Sequence, residues 1–172
     1  MHCFSKVLQL ISTPNIDIAT ENSYFCIMNE LKIFSGDYSS ELPLQFADAG
    51  IFAGFPSPAQ DYMDRTLDFN REIIKHPAAT FYAKVLGQSM EGAGIDTGDI
   101  VVVDRALEPR DGDIVVACLN GEFTLKYIDL SKKDKGIICL RPDNDKYEPI
   151  YMHEGDQLVV WGVVSSVIKR FR

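Results

Sequence analysis

The two residues best suited to chemistry are a serine and a lysine that lie far apart in the sequence. Ser89 follows a strand-like run and a glycine, and a flexible stretch rich in Gly comes after it. A serine at the end of a strand can expose its hydroxyl beside backbone N–H groups, which could stabilise an oxyanion. On this segment alone, a turn serine that hydrogen-bonds to local backbone is the simpler interpretation.

A nucleophilic serine needs a base, and the three histidines are poor candidates for that role. His2 lies near the N-terminus, His76 precedes a proline, and His153 lies in a loop, all positions typical of surface residues. A lysine whose pKa is lowered by burial can replace histidine as the base. Lys126 is such a candidate, on a predicted strand with Leu125 on the opposite face. Most lysines on strands face solvent, and the pattern leaves both interpretations open.

Other kinds of site have little support. The glycines of residues 87–94 have the wrong spacing for a phosphate-binding loop and lack its lysine. The four cysteines lie far apart and form no C-x-x-C pair, which argues against a disulfide scaffold or a zinc site. We expect no metal and no cofactor. Several aspartates occur close together, but most lie at turns, where a carboxylate commonly accepts hydrogen bonds from local backbone. They are Asp96, Asp99, Asp104, Asp111 and Asp113.

The chain is acidic, with 17 Lys and Arg residues against 25 Asp and Glu residues and a net charge of -8. Nucleic acid phosphates would repel such a chain, so we expect no direct specific DNA binding. No apolar run approaches the roughly 18 residues of a membrane span. The N-terminus does not resemble a secretory signal. With dispersed cysteines, these features predict a cytoplasmic protein that is not attached to a membrane.

Two regions of the sequence differ in character. Residues 1–53 hold six acidic and two basic residues, and their apolar residues keep no regular period, which is typical of a flexible N-terminal arm. Residues 54–172 are richer in strand-forming residues and predict one β-rich domain. Met28 would also make a plausible N-terminus, so residues 1–27 are hypothesised to precede the native start.

The β-rich region alternates strand-forming runs with Gly, Asp, Pro and Asn. Asn120-Gly121 between two such runs predicts a hairpin, because a type I′ turn needs a positive φ at both positions. Short helices are predicted from about Pro58 and over residues 70–75. The fold class is therefore mainly β, with a folded or barrel-like sheet. The predicted strands are residues 80–86, 99–103, 113–119, 122–128, 136–140 and 157–167.

An ordered set of five motifs closely resembles the LexA/UmuD family of self-cleaving Ser/Lys peptidases, in particular its UmuD branch of SOS mutagenesis proteins. The similarity runs from about Ala53 to the strand at residues 162–164, or about two thirds of the chain. Each motif alone is weak, whereas the ordered set is highly specific. The motifs are GFPSPA (54–59), GQSM (87–90), GDIVVVD (98–104), GDIV (112–115) and GEFTLK (121–126).

The resemblance implies a folded β-sheet like that of LexA and signal peptidases, and an activity directed at the chain itself. Ser89 would be the nucleophile and Lys126 the neutral general base, and the backbone N–H groups of Ser89 and Gln88 would form the oxyanion hole. The scissile bond would be Ala53–Gly54, so that cleavage removes residues 1–53 and leaves residues 54–172.

The choice of the scissile bond also follows from the resemblance. This sequence differs from the family in two respects. Ala49–Gly50 is a second Ala-Gly pair, but the family cuts directly before a Gly-Phe-Pro motif like that at Gly54. The UmuD branch often has Cys before that glycine, whereas this chain has Ala53, as the repressors do. The arm is long for the family if Met1 is the start, and a start at Met28 would remove this difference.

The implied partners are those of the family. A RecA filament on single-stranded DNA would stimulate cleavage, and the product would join an error-prone Y-family polymerase subunit, called UmuC in the family, as a homodimer. The resemblance thus implies a cytoplasmic protein of the SOS response to DNA damage that takes part in translesion synthesis.

Three alternatives remain open. A LexA-like transcriptional repressor would need a basic helix-turn-helix domain before the cleavage site, where residues 1–53 are acidic. A signal peptidase shares the Ser-Met segment and the lysine base, but it would require a membrane anchor, which this sequence does not suggest. A catalytically silent polymerase accessory protein fits less well, because both Ser89 and Lys126 are present.

Overall fold

The computed structural model describes residues 31–34, 41, 43–46, 65–153 and 155–171. Within these residues the fold is mainly β, as predicted, with one short α-helix, α1 (Phe69–Ile73), and 3-10 helices at Pro77–Ala79 and Lys133–Lys135. None of these helices is long and apolar enough to cross a bilayer. The strands are β1 (Leu31–Phe34), β2 (Pro43–Phe46), β3 (Arg65–Asp68), β4 (Thr80–Val85), β5 (Ile100–Asp104), β6 (Ile114–Leu119), β7 (Glu122–Asp129), β8 (Cys139–Arg141), β9 (Ile150–Tyr151) and β10 (Leu158–Ile168).

Eight of these strands form one antiparallel sheet in the order β1-β4-β5-β10-β6-β7-β8-β9. The other two, β2 and β3, pair with each other in a separate antiparallel ladder. The last long strand, β10, therefore lies in the middle of the large sheet, between β5 and β6. The first described strand, β1, lies at one edge of this sheet and pairs with β4.

All six strands predicted from the sequence are confirmed, with ends that differ by at most three residues. The predicted hairpin joins β6 to β7, and φ is 51° at Asn120 and 91° at Gly121. The helix predicted over residues 70–75 is α1, and the Asp68 carboxylate caps it by accepting from the backbone N–H groups of Asn70 and Arg71. Strands β1, β2, β3 and β9 were not predicted, and the helix expected from Pro58 lies outside the described residues.

The large sheet buries side chains on both of its faces. In β5, Val101, Val102 and Val103 are all fully buried, which explains why this strand is a continuous apolar run rather than an alternating one. In β6, Val116 packs into one apolar cluster while its neighbours Val115 and Ala117 pack into a second. A polar side chain in the central part of either face, such as Lys126, is therefore removed from water by its neighbours.

Strand β10 changes its register with both neighbours, and a glycine occupies the first irregularity. The pairing with β6 shifts between Val160 and Gly162, and the pairing with β5 shifts between Val164 and Ser166. A Cβ atom on Gly162 would lie 2.9 Å from the carbonyl oxygen of Asp104 on β5. A glycine is needed here because the backbones of β10 and β5 approach too closely for a side chain.

Candidate active site

Ser89 lies in the turn at residues 87–94, which follows β4. Gly87 opens the turn with φ at 115°, a conformation that favours glycine. Met90 and Ile95 are buried in an apolar cluster, and the Ile95 N–H donates to the Met90 carbonyl at 3.1 Å. The Gly98 N–H donates to the carbonyl of Val85, so both ends of this segment are fixed to β4. The turn therefore holds Ser89 on a well-packed support.

Lys126 lies on β7 and faces the side of the sheet opposite to Leu125. Lys126 pairs with Val115 of β6 in the ladder, and it is 4% exposed. The sequence left open whether this lysine faces solvent, and the structure places it in the interior. An amine in such surroundings loses hydration, which disfavours its charged form.

The structure brings Ser89 and Lys126 together although they are 37 residues apart in the chain. The Nζ atom of Lys126 lies 2.7 Å from the Oγ atom of Ser89, and Ser89 itself is only 8% exposed. Nζ also lies 2.8 Å from Thr124 Oγ1 and 3.0 Å from the carbonyl oxygen of Leu125. These three oxygen atoms are uncharged, so none of them stabilises an ammonium as a carboxylate would. This arrangement suits a lysine that takes a proton from a serine hydroxyl.

The backbone N–H groups expected to hold an oxyanion belong to Gln88 and Ser89, at the start of the same turn. Within the part of the chain that the structure describes, neither group donates to a protein acceptor. The carbonyl oxygen of Ser89, in contrast, accepts from the Asp143 N–H at 2.8 Å. A pair of adjacent N–H groups beside a nucleophile is the arrangement that oxyanion stabilisation requires.

Sequence reasoning missed the residues that surround the turn. The Thr97 hydroxyl contacts the backbone of Gly87, and the Asn144 side chain contacts the carbonyl of Gln88. The Gly92 N–H donates to the Asp143 carbonyl at 2.7 Å. No motif marks these residues, because their role arises only when the loop after β8 packs against the turn that holds Ser89.

The remaining candidates lie elsewhere or outside the described residues. His76 is half-exposed, and its Nδ1 lies 2.6 Å from a carboxylate oxygen of Asp104. Of the two described histidines, His76 and His153, neither hydrogen-bonds to Ser89. Three aspartates accept from nearby backbone N–H groups, as predicted from their turn positions: Asp99, Asp104 and Asp113. The predicted scissile bond, Ala53–Gly54, lies outside the described residues.

Known proteins resemble this chain over the region that contains the site. A family model described as Peptidase S24-like matches residues 47–165. Protein ImpA of Salmonella typhimurium is 44% identical over 140 residues, which cover 80% of this chain and 90% of that protein. Protein MucA of Escherichia coli is 42% identical over 116 residues, or 67% of this chain and 77% of that protein. The LexA repressor of Desulfatibacillum aliphaticivorans is 39% identical over 122 residues, or 70% of this chain and 58% of that protein.

Proposed function

The chain belongs to the Peptidase S24-like family, as the resemblance to the LexA/UmuD family indicated, and from this premise we propose that it is a serine endopeptidase that cuts itself. The observation that carries the proposal is the buried contact of 2.7 Å between Lys126 Nζ and Ser89 Oγ. A buried lysine in contact with a serine hydroxyl has the geometry of a base and its nucleophile.

The proposed reaction begins with the transfer of the Ser89 hydroxyl proton to neutral Lys126. The Ser89 oxygen attacks the carbonyl carbon of Ala53, and the N–H groups of Ser89 and Gln88 bind the resulting oxyanion. The intermediate collapses, the Ala53–Gly54 bond breaks, and Lys126 returns its proton to the departing amine of Gly54. Water, activated by Lys126, then hydrolyses the ester between Ser89 and Ala53.

Tethering of the substrate makes regulation necessary. A scissile bond in the same chain reaches the nucleophile at a high effective concentration, so the uncut state must hold it unproductively or keep the lysine charged. We propose that a RecA filament on single-stranded DNA favours the cleavable conformation by binding it more tightly than the resting one. The proposed protein is cytoplasmic and homodimeric, and its cut form serves a UmuC-like Y-family polymerase subunit in translesion synthesis. The support for these partners is the family resemblance.

The test is the intact mass of purified protein after incubation at alkaline pH, and after incubation at neutral pH with RecA, an ATP analogue and single-stranded DNA. High pH should promote cleavage without the filament because it deprotonates the lysine. We expect a fragment that begins at Gly54, and we expect the variants Ser89→Ala and Lys126→Ala to yield none. The matched controls are Ser131→Ala and Lys132→Ala, since both residues are exposed in the loop after β7.

The outcomes separate the parts of the proposal. A fragment that begins at Gly50 would keep the reaction but move the bond. Cleavage at high pH without any effect of the filament would contradict the proposed regulation alone. A wild-type chain that stays intact under both conditions would contradict self-cleavage and favour the polymerase accessory protein.

A further inference from the structure

Two polar side chains hold the backbone carbonyls that precede Ser89. The Thr97 hydroxyl donates to the carbonyl of Gly87 at 2.7 Å and accepts from the N–H of Gly87 at 3.0 Å. The Asn144 side-chain amide donates to the carbonyl of Gln88 at 2.7 Å and to the Glu91 carboxylate at 3.1 Å. Two successive carbonyls of the turn are thus each fixed by a side chain from a different loop.

The side chain of Asn144 is itself held in place. Its Oδ1 atom accepts from the backbone N–H of Lys146 at 3.0 Å, so both ends of the amide are in use. The adjacent Asp143 bonds to the turn through its own backbone, donating to the Ser89 carbonyl and accepting from the Gly92 N–H. The loop at residues 142–146 is therefore joined to the turn at residues 87–94 by several hydrogen bonds.

Peptide geometry converts these contacts into control of the N–H groups. The carbonyl of Gly87 and the N–H of Gln88 belong to one peptide group, and the carbonyl of Gln88 and the N–H of Ser89 belong to the next. The described residues contain no cis peptide bond, and in a planar trans peptide the C=O and N–H point in opposite directions. A side chain that fixes each carbonyl therefore fixes the direction of the following N–H.

We infer that Thr97 and Asn144 are positioning residues that aim the backbone N–H groups of Gln88 and Ser89 at the oxyanion. Thr97 orients the N–H of Gln88, and Asn144 orients the N–H of Ser89. The inference rests on the proposed self-cleavage, in which these two N–H groups form the oxyanion hole. Preorganised donors stabilise a transition state because they need no reorientation when charge develops.

The test is the rate of self-cleavage between pH 7 and 11 in full-length variants. Thr97→Val keeps the shape of the side chain but removes the hydroxyl, and Thr97→Ser restores the hydroxyl. Asn144→Ala removes the amide, and Asn144→Asp keeps an acceptor for Lys146 but removes the donor. Loss of a whole oxyanion donor costs about 10²–10³-fold in rate. We expect Thr97→Val and both Asn144 variants to lower the plateau rate about 10–100-fold, since their donors are misaimed rather than absent.

The pH midpoint distinguishes oxyanion positioning from a general structural role. The midpoint reports the titration of the base, so it should stay at the wild-type value in every variant, and Thr97→Ser should cleave at nearly the wild-type rate. The matched control is Asn120→Ala, because Asn120 bridges Asp156 and Gln157 at the far hairpin and its loss should lower stability without slowing cleavage.

Three results would overturn the inference. The first is plateau rates within twofold of wild type in Thr97→Val and Asn144→Ala, and the second is slow cleavage together with a shifted midpoint. The third is that Thr97→Val and Asn144→Ala slow cleavage no more than Asn120→Ala does when all three lower the melting temperature by the same amount. A wild-type chain that does not cleave would instead contradict the proposed function, so the two failures are distinguishable.

Discussion

The contacts of Lys126 suit both of its protonation states. A neutral amine has two donor hydrogens and one lone pair, whereas an ammonium has three donors. In the neutral state Nζ can donate to Thr124 Oγ1 and to the Leu125 carbonyl while it accepts from the Ser89 hydroxyl. In the charged state it can donate to all three oxygens. The proton can therefore move between Ser89 and Lys126 without rearrangement of these three oxygen atoms.

At the same scale, the contact between the turn at residues 87–94 and the loop after β8 depends on the absence of a side chain at Gly92. A Cβ atom on Gly92 would lie 2.6 Å from the carbonyl oxygen of Asp143, and this oxygen already accepts from the Gly92 N–H. We expect Gly92→Ala to push the loop after β8 away from the turn, which should lower the free energy of unfolding by about 1–3 kcal/mol and slow self-cleavage about tenfold. Stability would be measured by urea denaturation of an uncleavable Ser89→Ala background.

The matched control is Gly94→Ala, two residues along the same turn. Gly94 has φ at 73° but open space around it, so an alanine there should cost about 1–2 kcal/mol of backbone strain without displacing the loop. Its cleavage rate should stay close to that of wild type. Equal rates in Gly92→Ala and Gly94→Ala would show that the contact with Asp143 does not support the chemistry.

Residue types and motif order are enough to single out Ser89 and Lys126, but not the residues that support them. A reactive serine and a strand lysine carry recognisable chemistry, and the motifs around them occur in a specific order. Thr97 and Asn144 have no such chemistry, and Asn144 reaches Gln88 across 56 residues of sequence. Their role depends on which loops meet in space, which a single sequence does not encode locally.

At the scale of elements, the local sequence pattern predicts the strands whose own side chains are buried in the apolar core. Runs such as Val101–Val103 are apolar over their whole length because both faces of the sheet are covered. The short strands β1, β2 and β3 lie among polar residues and acquire their structure from their partners, as β1 does from β4. A strand that is stabilised mainly by pairing with distant residues has no strong β pattern in its own sequence.

One ion pair joins the beginning of β5 to the end of β10. Lys169, directly after β10, lies 2.7 Å from the carboxylate of Asp99, directly before β5, and it also contacts the carboxylate of Asp96. Burial of Asp99 tends to raise its pKa, but the hydrogen bond from Lys169 and the backbone N–H of Asp96 outweigh burial and lower it. The hydrogen bonds to Asp96 and Asp99 raise the pKa of Lys169.

These shifts give the pair a stabilising effect with a defined pH range. A lowered pKa at Asp99 contributes stability above its unfolded pKa of about 3.9, and this stability is lost as the pH falls through the folded value. A raised pKa at Lys169 contributes stability below its unfolded value of about 10.4, which is lost as the pH rises through the folded value. We expect Lys169→Met to reduce the unfolding free energy most between about pH 5 and 9.

The measurement is denaturation of the Ser89→Ala background with and without Lys169→Met at several pH values. The difference between the two should shrink as the pH falls below the unfolded Asp99 pKa of about 3.9 and then through the lowered folded value, because Asp99 then becomes protonated in both states. Lys135→Met, a change at an exposed lysine of the loop after β7, should show no such pH dependence. A difference of the same size at pH 3 and pH 7 would mean that Lys169 stabilises the fold through its alkyl chain rather than through the ion pair.

At the scale of the whole molecule, the proposed cut divides the strands between two fragments. The Ala53–Gly54 bond falls between β2 and β3 in the chain, so β1 and β2 belong to the fragment that is released and β3 to β10 to the fragment that remains. Before the cut, the covalent connection keeps β1 beside β4 at a high effective concentration. After it, only two four-residue ladders, β1 with β4 and β2 with β3, hold the released fragment, and such short pairings should dissociate at micromolar concentrations.

Alternate residues of β4 should therefore respond differently to cleavage. The Val85 N–H donates to the Asp99 carbonyl on the β5 side, and backbone groups of an antiparallel strand alternate in direction. The N–H groups of Tyr82 and Lys84 then face β1, whereas those of Ala83 and Val85 face β5. We expect amide exchange at Tyr82 and Lys84 to accelerate at least tenfold after cleavage. Exchange requires β1 to separate from β4, and this is easier once β1 is no longer tethered to the rest of the chain.

The experiment compares amide exchange by NMR in cleaved wild type and in uncut Ser89→Ala protein at the same concentration. Ala83 and Val85 provide the control within the same strand, because the pairing of β4 with β5 lies wholly in the retained fragment and should keep their exchange slow. Continued slow exchange at Tyr82 and Lys84 would mean that the arm stays paired after the bond is cut. Cleavage would then change the connectivity of the chain without uncovering the edge of the sheet, and any partner of the cut form would have to bind elsewhere.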